Sequence, residues 1–376
     1  MGLNKYNPTR VMVSVCKKIT FFLGVLLLPG ILMGFSSQPK FQVKKASPVP
    51  SLQKRIDPAV NLQHEQWIGA DVATSIPITK NHVIWLFGDT LIGFNKNGRR
   101  YIHAFIHNSV GVMKHGVMKK YYRIQNGEPA SIFQSKKKNT YLWVMSGAMI
   151  NKKLVLLAAL KQKDEGLQTK KSVMIVVSNP LDKPTKWKYV VMPQLSSIPQ
   201  CDRKIKKASK MFQPLHYRSV HWTMALVNQK NKYYIFGELK HKTMVAIFNK
   251  NKLLKIQAVK GLPGTSETTI QYNKFFGWYC VQIPPLSVDV HLYTASNLLG
   301  PWFDQGVIYS IKHHDRFVVY AAKAHQELAR QKKEIVFTYN TNINPFDIEL
   351  KDQMQITIAN NKYKSIYIPQ FVSVTF

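Results

Sequence analysis

Five strand-like runs recur along this chain, and they constrain its fold more than any other feature of the sequence. Each run follows a polar turn and is rich in aromatic and β-branched residues, a composition that favours strands. The runs are VIWLFGDT from Val83, LVLLAAL from Leu154, YYIFGEL from Tyr233, FFGWYCVQ from Phe275 and IVFTYNTN from Ile335. Their spacing suits four-stranded sheets with loops of variable length. We therefore expect an all-β fold, a five-bladed β-propeller with one run in each blade.

The C-terminal sequence bears on how such a ring would close. The final run, YIPQFVSVTF, is itself strand-like. We expect this C-terminal strand to complete the first blade, because ring closure removes exposed strand edges. The propeller domain is expected over residues 59–376, after a Pro- and Lys-containing linker over residues 37–58. A large β-sandwich with insertions is the alternative fold.

Residues 1–36 have the pattern of a targeting segment. Four basic residues precede an apolar stretch over 19–35, and small residues lie at its end. This order is typical of a secretory signal peptide. Because the stretch is long and lacks an Ala-x-Ala site, an uncleaved membrane anchor is the alternative. We expect a secreted or periplasmic protein that meets the membrane only through this segment.

The charge balance is strongly basic. The 376 residues include 53 Lys and Arg against 19 Asp and Glu, a formal net charge of +34. Such a surface attracts anionic surfaces or polymers, for example acidic glycans or lipid headgroups, although a solvated Lys-rich surface without a partner is the simpler interpretation. The sequence has no RNA-binding aromatic motif, zinc finger or basic helix with heptads, so nucleic acid is not indicated as a partner.

Cofactor and metal motifs are not found in the sequence. There is no P-loop, dinucleotide fingerprint, His-Glu-x-x-His motif or Gly-x-Ser-x-Gly elbow. Paired Cys or His residues at metal-ligand spacing do not occur, so neither a metal nor an organic cofactor is expected. Of the three cysteines, Cys201 and Cys280 are candidates for one disulfide in an oxidising compartment, or for two buried thiols.

Several short motifs occur in a fixed order over residues 65–376. Two of them, WIGAD ending at Asp71 and WLFGDT containing Asp89, open the predicted domain. The later ones are His107-Asn108-Ser109, Ser266-Glu267, Thr294-Ala295-Ser296 with Gly300-Pro301-Trp302, and Ala324-His325-Gln326-Glu327-Leu328. Together they resemble a bacterial five-bladed propeller family, formerly of unknown function, that includes endo-D-arabinanases. The resemblance implies a glycan-hydrolysing enzyme in which Asp71 and Asp89 take the acid/base and nucleophile or stabiliser roles.

Glycoside hydrolysis requires two carboxyl groups that flank the scissile bond, so acidic residues are the first candidates. Asp71 and Asp89 are 18 residues apart, which suits adjacent antiparallel strands of one blade, and both could face one cavity. Glu267 alternates with threonines on a predicted strand and is a candidate third acid. Turn chemistry is the alternative role for Asp89, and a solvent-facing position is the alternative for Glu267. The sequence does not decide which aspartate is the acid.

Substrate-binding candidates come from the same motifs and from the aromatic residues. His107, Asn108 and His325 are candidates for hydrogen bonds with sugar hydroxyls, and a structural role is the alternative for each. His325 could also tune a neighbouring acid. Trp143 and Trp222 are predicted to stack on sugar faces, with core packing as the alternative for each. In the segment that starts at Trp143, related families often have Trp-Pro-Gly-Asp-Gly, whereas this chain has WVMSGA and lacks the acid.

These observations together predict an exported glycoside hydrolase. Its substrate is expected to be a polysaccharide or glycoconjugate, of arabinan type or another cell-envelope glycan, cleaved by paired carboxylates. The alternative is a non-catalytic propeller that binds acidic glycan or a partner protein through its basic surface. A membrane-anchored structural protein is a third interpretation.

Overall fold

The computed structural model describes ten segments of the chain, and almost all of them are antiparallel β-structure. These segments are residues 41–58, 65–79, 81–96, 99–163, 169–192, 220–249, 252–265, 267–312, 316–344 and 365–376. The α-helix within them is α1, Pro50–Ile56, and short 3₁₀ turns cover Pro184–Lys186 and Gln326–Leu328. The prediction of an all-β fold is confirmed.

The described segments contain 25 strands. In chain order they are β1 (Lys45–Pro48), β2 (Gln66–Ala70), β3 (Thr74–Thr79), β4 (His82–Phe87), β5 (Thr90–Lys96), β6 (Arg99–Ile106), β7 (Ser109–Lys114), β8 (Val117–Tyr121), β9 (Arg123–Gln125), β10 (Glu128–Ala130), β11 (Thr140–Ile150), β12 (Lys153–Gln162), β13 (Thr169–Val177), β14 (Tyr189–Met192), β15 (His221–Gln229), β16 (Lys232–Leu239), β17 (Lys242–Asn249), β18 (Lys252–Pro263), β19 (Ile270–Asn273), β20 (Gly277–Gln282), β21 (Asp289–Ala295), β22 (Phe303–Ser310), β23 (Phe317–Ala324), β24 (Glu334–Ile343) and β25 (Gln370–Thr375).

Within the described segments, five sheets have four strands each. Their strand orders are β3-β4-β7-β8 (sheet 1), β11-β12-β13-β14 (sheet 2), β15-β16-β17-β18 (sheet 3), β19-β20-β21-β22 (sheet 4) and β23-β24-β25-β1 (sheet 5). The three-stranded sheet β2-β5-β6 and the pair β9-β10 are smaller. Each of the five recurring runs contributes the second strand of a different sheet, namely β4, β12, β16, β20 and β24.

Apolar clusters join each sheet to the next, and a further cluster joins sheet 5 to sheet 1. Representative members of the five clusters are Ile84 with Leu156, Leu157 with Ile235, Phe236 with Trp278, Val281 with Phe337, and Trp85 with Phe371. Full burial of one such side chain contributes roughly 1.5–3 kcal/mol. The sheets are therefore held together in cyclic order by their second strands and the strands beside them.

The last sheet is completed by a strand from the N-terminal part of the described chain. Strand β25 pairs with β24 on one side, and β1 pairs with its other side in the register Lys45↔Thr375. This corrects the expectation that the C-terminal strand completes the first sheet. Because β1 covers the edge of β25, the same protection of a strand edge is achieved from the other end of the chain.

The segment predicted as a linker is more ordered than expected. Besides β1, it contains α1, whose Leu52 and Ile56 are buried in the cluster between sheets 5 and 1. Phe41 packs its ring against those of Phe276 and Phe376, at 5.2 and 6.3 Å between centroids. Residues 41–58 are thus part of the folded unit.

Two predictions fall on residues outside the described segments. These are the targeting segment over 1–36 and the cysteine at position 201. Cys280 is described, and its buried thiol lies 2.9 Å from the hydroxyl of Thr268. In the ten segments above, no helix has the length and apolar character needed to cross a bilayer.

Candidate carboxylate site

The hairpin formed by β3 and β4 places two aspartates side by side at its open end. Asp71 lies three residues before the start of β3, and Asp89 lies two residues after the end of β4. The Asp71 N–H donates to the Asp89 carbonyl at 3.1 Å, and the Gly88 N–H donates to the Asp71 carbonyl at 3.1 Å. The 18-residue spacing therefore gives the adjacency that the sequence predicts.

The backbone around the aspartates adopts conformations that side-chain-bearing residues rarely take. Val72 and Ala73 have φ values of 69° and 46°, and the β-branched Val72 is especially unusual in this region. Ala321 and Tyr367, which belong to sheet 5 and the segment before β25, have φ values of 55° and 56°. Each such residue costs about 1–3 kcal/mol, a strain that clusters at functional sites.

Asp71, Asp89 and Glu267 share one electrostatic environment. Burial raises the pKa of Asp71 well above its ordinary value, and repulsion from Asp89 and then Glu267 raises it further. Burial also raises the pKa of Glu267, which Lys323 and Lys161 oppose and Asp89 reinforces. Burial therefore favours the neutral, protonated form of each acid, whereas the two lysines favour the charged form of Glu267.

Neither buried acid is fully satisfied by hydrogen bonds. Among the described residues, Asp71 Oδ1 and Glu267 Oε1 are buried and have no hydrogen-bond partner. The other oxygen of Asp71 accepts a long hydrogen bond from the Tyr320 hydroxyl at 3.4 Å. Buried polar atoms without partners are costly, so their presence in one place indicates a site that a ligand or water completes.

Two buried lysines balance the negative charge of the three acids. Burial lowers the pKa of Lys161 to about 8, although Asp89, Glu267 and Asp71 all act to raise it. Burial likewise lowers the pKa of Lys323 to about 8 against the attraction of Glu267 and Asp71. Lys323 Nζ also donates to the carbonyl of Met145 at 3.3 Å. The site is therefore a cluster of carboxyl and amino groups that is largely withdrawn from solvent.

Trp143 lies beside the acids and lysines of the site, and its predicted stacking on a sugar stays a prediction. Lys161 Nζ lies 4.2 Å from the centroid of its ring. A Cβ atom added at Gly88 would collide with both Trp143 Nε1 and Asp71 Oδ1. Because Gly88 has no side chain, the Trp143 indole N–H and the Asp71 carboxyl can both lie close to it. In the described part of the chain, Trp143 Nε1 is buried and has no hydrogen-bond partner.

Asp89 is the accessible carboxylate of the cluster. Its side chain is 19% exposed, and its Oδ1 lies 3.0 Å from Nδ1 of His107, which is 24% exposed. Tyr141 stacks on the His107 ring with 3.6 Å between centroids and 16° between planes. The imidazole is thus fixed between a tyrosine and the carboxylate, which orients Asp89 at the surface of the site.

Two residues predicted to bind substrate have structural roles instead. Asn108 is fully buried, and its amide donates to the carbonyls of Phe133 and Leu142 at 2.9 and 2.8 Å while its oxygen accepts from the Phe133 N–H. Both amide hydrogens are therefore occupied. Trp222 is 2% exposed and packs in the cluster between sheets 2 and 3. These positions correct the expectation that they contact sugar.

His325 lies behind the site rather than in it. The ring is fully buried between sheets 1 and 5, with Nδ1 at 2.6 Å from Ser75 Oγ and Nε2 at 2.9 Å from Thr338 Oγ1. Burial, with a further contribution from Lys323, lowers its pKa to about 3. His325 is therefore a neutral residue that links two sheets, which corrects its assignment as a sugar-binding group.

Sequence reasoning missed several members of the cluster. They are Lys161, Lys323, Tyr320, Tyr141 and Tyr367. Lys161 ends the apolar run of β12, and Lys323 directly precedes the motif Ala324-His325-Gln326-Glu327-Leu328. In a chain with 53 basic residues neither lysine is conspicuous, and a lysine that interrupts an apolar strand is the signal that could have found them.

A known sequence family matches most of the chain, including all three acids of the site. Its sequence profile matches residues 60–254 and 267–375. The chain belongs to this family, the domain of unknown function DUF5005. The comparison of this DUF5005 protein with curated proteins gives no match.

Solved structures match the chain at low sequence identity. A protein of Bacteroides ovatus ATCC 8483, provisionally described as a hydrolase, matches with a TM-score of 0.63 at 12% identity, over 88% of this chain and 90% of that one. A family 43 β-1,3-galactosidase with bound galactodeoxynojirimycin gives 0.49 at 12% identity over 81% and 90%. A family 117 glycoside hydrolase of Zobellia galactanivorans gives 0.45 at 10% over 83% and 90%. The first of these shows that the DUF5005 chain shares its fold.

The described segments contain no obvious set of metal-binding side chains. Within them, no group of three or more His, Cys, Asp or Glu side chains is arranged to hold a metal ion. The residues that converge are carboxyls, lysines, tyrosines and one histidine, which can transfer protons and form hydrogen bonds. The arrangement is suited to acid–base chemistry between carboxyl groups.

Proposed function

We propose that this protein is a glycoside hydrolase built on a five-bladed β-propeller, with sheets 1 to 5 as the blades. The five four-stranded sheets and the cyclic order of their apolar clusters support the propeller arrangement. The observation that carries the enzymatic proposal is the pairing of Asp71 and Asp89 at the end of one hairpin. The proposed substrate is a polysaccharide or glycoconjugate, of arabinan type or another cell-envelope glycan.

The two aspartates have environments that suit different catalytic roles. The raised pKa of Asp71 favours a carboxyl that carries a proton, so we assign it as the general acid that protonates the leaving oxygen. Asp89 is partly exposed and held by His107, so we assign it as the carboxylate that attacks the sugar or activates water. Pairs of carboxyls with contrasting environments are the pattern that glycosidases use.

Glu267, Lys161 and Lys323 set the charge of the proposed site. The negative charge of Glu267 helps to keep the proton on Asp71, and the two ammonium groups limit the repulsion among the three acids. The chain's own residues therefore supply a proton donor, an accessible carboxylate and counter-charges. The proposed reaction requires no organic cofactor.

The direct test is hydrolysis of defined glycans by the purified protein. Release of reducing ends from arabinan-type and anionic glycans should fall by about a hundredfold or more in Asp71→Asn and in Asp89→Asn. Asp304→Asn is the matched control, because that carboxylate is 44% exposed on the outer strand β22. Equal turnover by Asp89→Asn and the unaltered protein would exclude Asp89 from catalysis.

A second candidate function is binding of an acidic glycan or a partner protein without cleavage. The net charge of +34 favours this binding function, because a strongly basic surface attracts polyanions over several ångströms of solvent. Polyanion binding that weakens with salt, together with no release of reducing ends from any glycan tested, would support this function over hydrolysis.

We also propose export through the segment over residues 1–36. The basic lead and apolar stretch support this proposal, with retention as a membrane anchor as the alternative. N-terminal sequencing of the mature chain from expressing cells tests it. A mature protein that starts after this segment indicates a signal peptide, whereas an intact N-terminus in the membrane fraction indicates an anchor.

A further inference from the structure

The connections between the first two strands of the sheets lie at the end of the fold opposite the carboxylate site. In sheet 1 the two aspartates lie at the open end of the β3–β4 hairpin, so its turn is at the other end. Thr74 Oγ1 of β3 donates to the Met145 carbonyl of β11 at 2.7 Å. Further along both strands, Gly147 lies beside Ile76. Strand β11 therefore runs in the same direction as β3, and the β11–β12 turn is at the same end.

Strands β15 and β23 run in this direction as well. Nδ2 of Asn228, at the end of β15, donates to a carbonyl near the end of β11 at 3.0 Å. The Tyr320 hydroxyl within β23 lies 3.4 Å from an oxygen of Asp71. His325, which follows β23, contacts Ser75 further along the neighbouring chain. The β15–β16 turn and the connection after β23 are thus also opposite the site.

The same end of the fold includes connections from sheets 4, 1 and 2. Lys333 Nζ, after β23, lies 4.9 Å from the centroid of the Phe275 ring in the β19–β20 turn. The His115 N–H in the β7–β8 turn donates to the Asn81 carbonyl in the β3–β4 turn at 3.1 Å. In sheet 2 the connection over residues 178–188 lies next to the start of β12. We call this set of connections the turn face.

Every sheet contributes exposed basic side chains to the turn face. Sheets 1 to 5 contribute, in that order, Lys114, Lys152, Lys230, Lys274 and Lys332. The connection over residues 178–188 adds three exposed lysines. Asp182 is the one exposed acid in the described connections of this face, and Glu334 beside them is only 8% exposed. In the described part of the chain, none of the five lysines is paired with a carboxylate. The turn face therefore carries a strong excess of positive charge.

The chain enters the described fold at the turn face. The Phe41 ring packs on Phe275 and Phe276 of the β19–β20 turn, with 5.4 and 5.2 Å between centroids. The residues before Phe41 include the apolar stretch over 19–35 that the sequence predicts as a signal peptide or membrane anchor. A chain that is inserted in a membrane and joined to the fold at Phe41 would bring this face toward the bilayer. The entry point therefore favours a bilayer over a soluble polyanion as the partner.

We propose that the turn face docks onto the anionic phospholipid headgroups of a membrane, with Asp71 and Asp89 at the opposite end directed away from the bilayer. Basic residues spread over one face attract anionic lipid, and each strengthens binding about fivefold. Phe275 is 37% exposed beside Lys333, a pairing suited to the boundary between headgroups and acyl chains. The inference goes beyond the proposed function, because it gives the protein a second membrane contact besides residues 1–36.

Lysine footprinting of the full chain tests this orientation whether or not residues 1–36 insert into lipid. The protein is reconstituted with vesicles of phosphatidylcholine, with or without phosphatidylglycerol, and acetylation of each lysine is followed by mass spectrometry. Lys152, Lys230 and Lys274 are expected to react at least about fivefold more slowly with the anionic vesicles than with the neutral ones. Lys240 and Lys242, in the β16–β17 turn at the site end, should react equally with both. High salt should remove the protection, because it screens exposed charges.

Three outcomes of the footprinting would overturn the proposal. They are equal reaction of the turn-face lysines with both kinds of vesicle, protection of Lys240 and Lys242 as strong as that of the turn face, and protection that high salt leaves unchanged. Soluble polygalacturonate is added to the protein in a parallel experiment. Protection of the turn face by this polymer, without protection by anionic vesicles, would identify an acidic glycan as the partner instead.

Two variants with the same net charge separate the turn face from the charge of the whole protein. The first combines Lys152→Gln, Lys230→Gln, Lys274→Gln and Lys332→Gln, and it should lose the protection of Lys153 and Lys333. The control combines Lys137→Gln, Lys138→Gln, Lys240→Gln and Lys242→Gln at exposed positions near the site end, and it should keep that protection.

All eight substituted side chains are exposed, so both variants should unfold in urea at the same concentration as the parent. Equal protection in the two variants would overturn the proposal. Hydrolysis of soluble glycans by either variant is a separate result that bears only on the proposed function.

Discussion

Replacing Asp71 by asparagine removes a buried carboxyl while keeping the size of the side chain and an oxygen for the Tyr320 hydroxyl. The pKa of Asp71 is raised above the ordinary value of 3.8 by burial and by the two neighbouring acids. Between 3.8 and the folded pKa the native state binds more protons than the unfolded state, so this residue makes the protein less stable as pH rises. We expect Asp71→Asn to remove this pH-dependent loss of stability, so that the variant is more stable than the unaltered protein at neutral pH.

The magnitude follows from proton linkage. One proton bound more tightly by the native state changes the free energy of unfolding by about 1.4 kcal/mol per pH unit. The stability difference between Asp71→Asn and the unaltered chain should therefore grow in favour of the variant with about this slope from pH 4 upward. It should level off once the pH passes the folded pKa. The variant gains stability and loses the proposed proton donor, a trade typical of catalytic groups.

Urea unfolding followed by tryptophan fluorescence at several values between pH 4 and pH 8 measures this difference. Asp304→Asn, which removes a partly exposed carboxylate paired with His291 on β22, is the comparison for loss of one acid elsewhere in the protein. A difference that is independent of pH, or one that turns against Asp71→Asn as pH rises, would refute the argument that Asp71 is buried beside other acids.

Further expectations concern the packing behind the site. Gly88→Ala should lower the free energy of unfolding by about 2 kcal/mol, because the added methyl group collides with the Trp143 indole and the Asp71 carboxyl. Gly127→Ala should lower it by only about 1 kcal/mol, because its Cβ meets nothing within 4 Å and only the positive φ is unfavourable. Urea unfolding of both variants measures the difference. Asn108→Ala should cost about 3 kcal/mol in the same assay, since it leaves three buried backbone groups without partners. The imidazole of His325 should stay neutral in NMR titrations down to about pH 3, and protonation near pH 6.5 would contradict its burial. Because the pKa of this residue in the folded protein lies below the ordinary 6.5, it should make the protein less stable as pH falls from 6.5 toward 3.

The strand pattern could be predicted from the sequence because burial imposes it on every sheet. The runs from Val83 and Leu154 are continuous apolar segments because second strands have other sheets on both faces. The closure of sheet 5 could not be predicted in the same way. Strand β1 has the sequence KASP, which lacks both aromatic and β-branched residues, so only its pairing with β25 identifies it as a strand.

The acids of the site were easier to predict than their partners. Asp71 and Asp89 end apolar segments in a chain poor in acids, so their positions attract notice in the sequence. Asn108 and His325 share their motifs and look equally functional, but buried partners such as Ser75 give them structural roles. Tertiary packing decides between these outcomes, and Lys323 is found only when sheets 5 and 4 are placed together.

The central claim, that Asp71 and Asp89 flank one sugar-cleaving site, is tested most directly by a crystal structure of the Asp89→Asn protein with a bound oligosaccharide. The claim predicts a glycosidic oxygen within about 3.2 Å of the Asp71 carboxyl, with the adjoining sugar facing position 89. An oligosaccharide bound away from both positions, with Asp71 still enclosed by its neighbours, would contradict it.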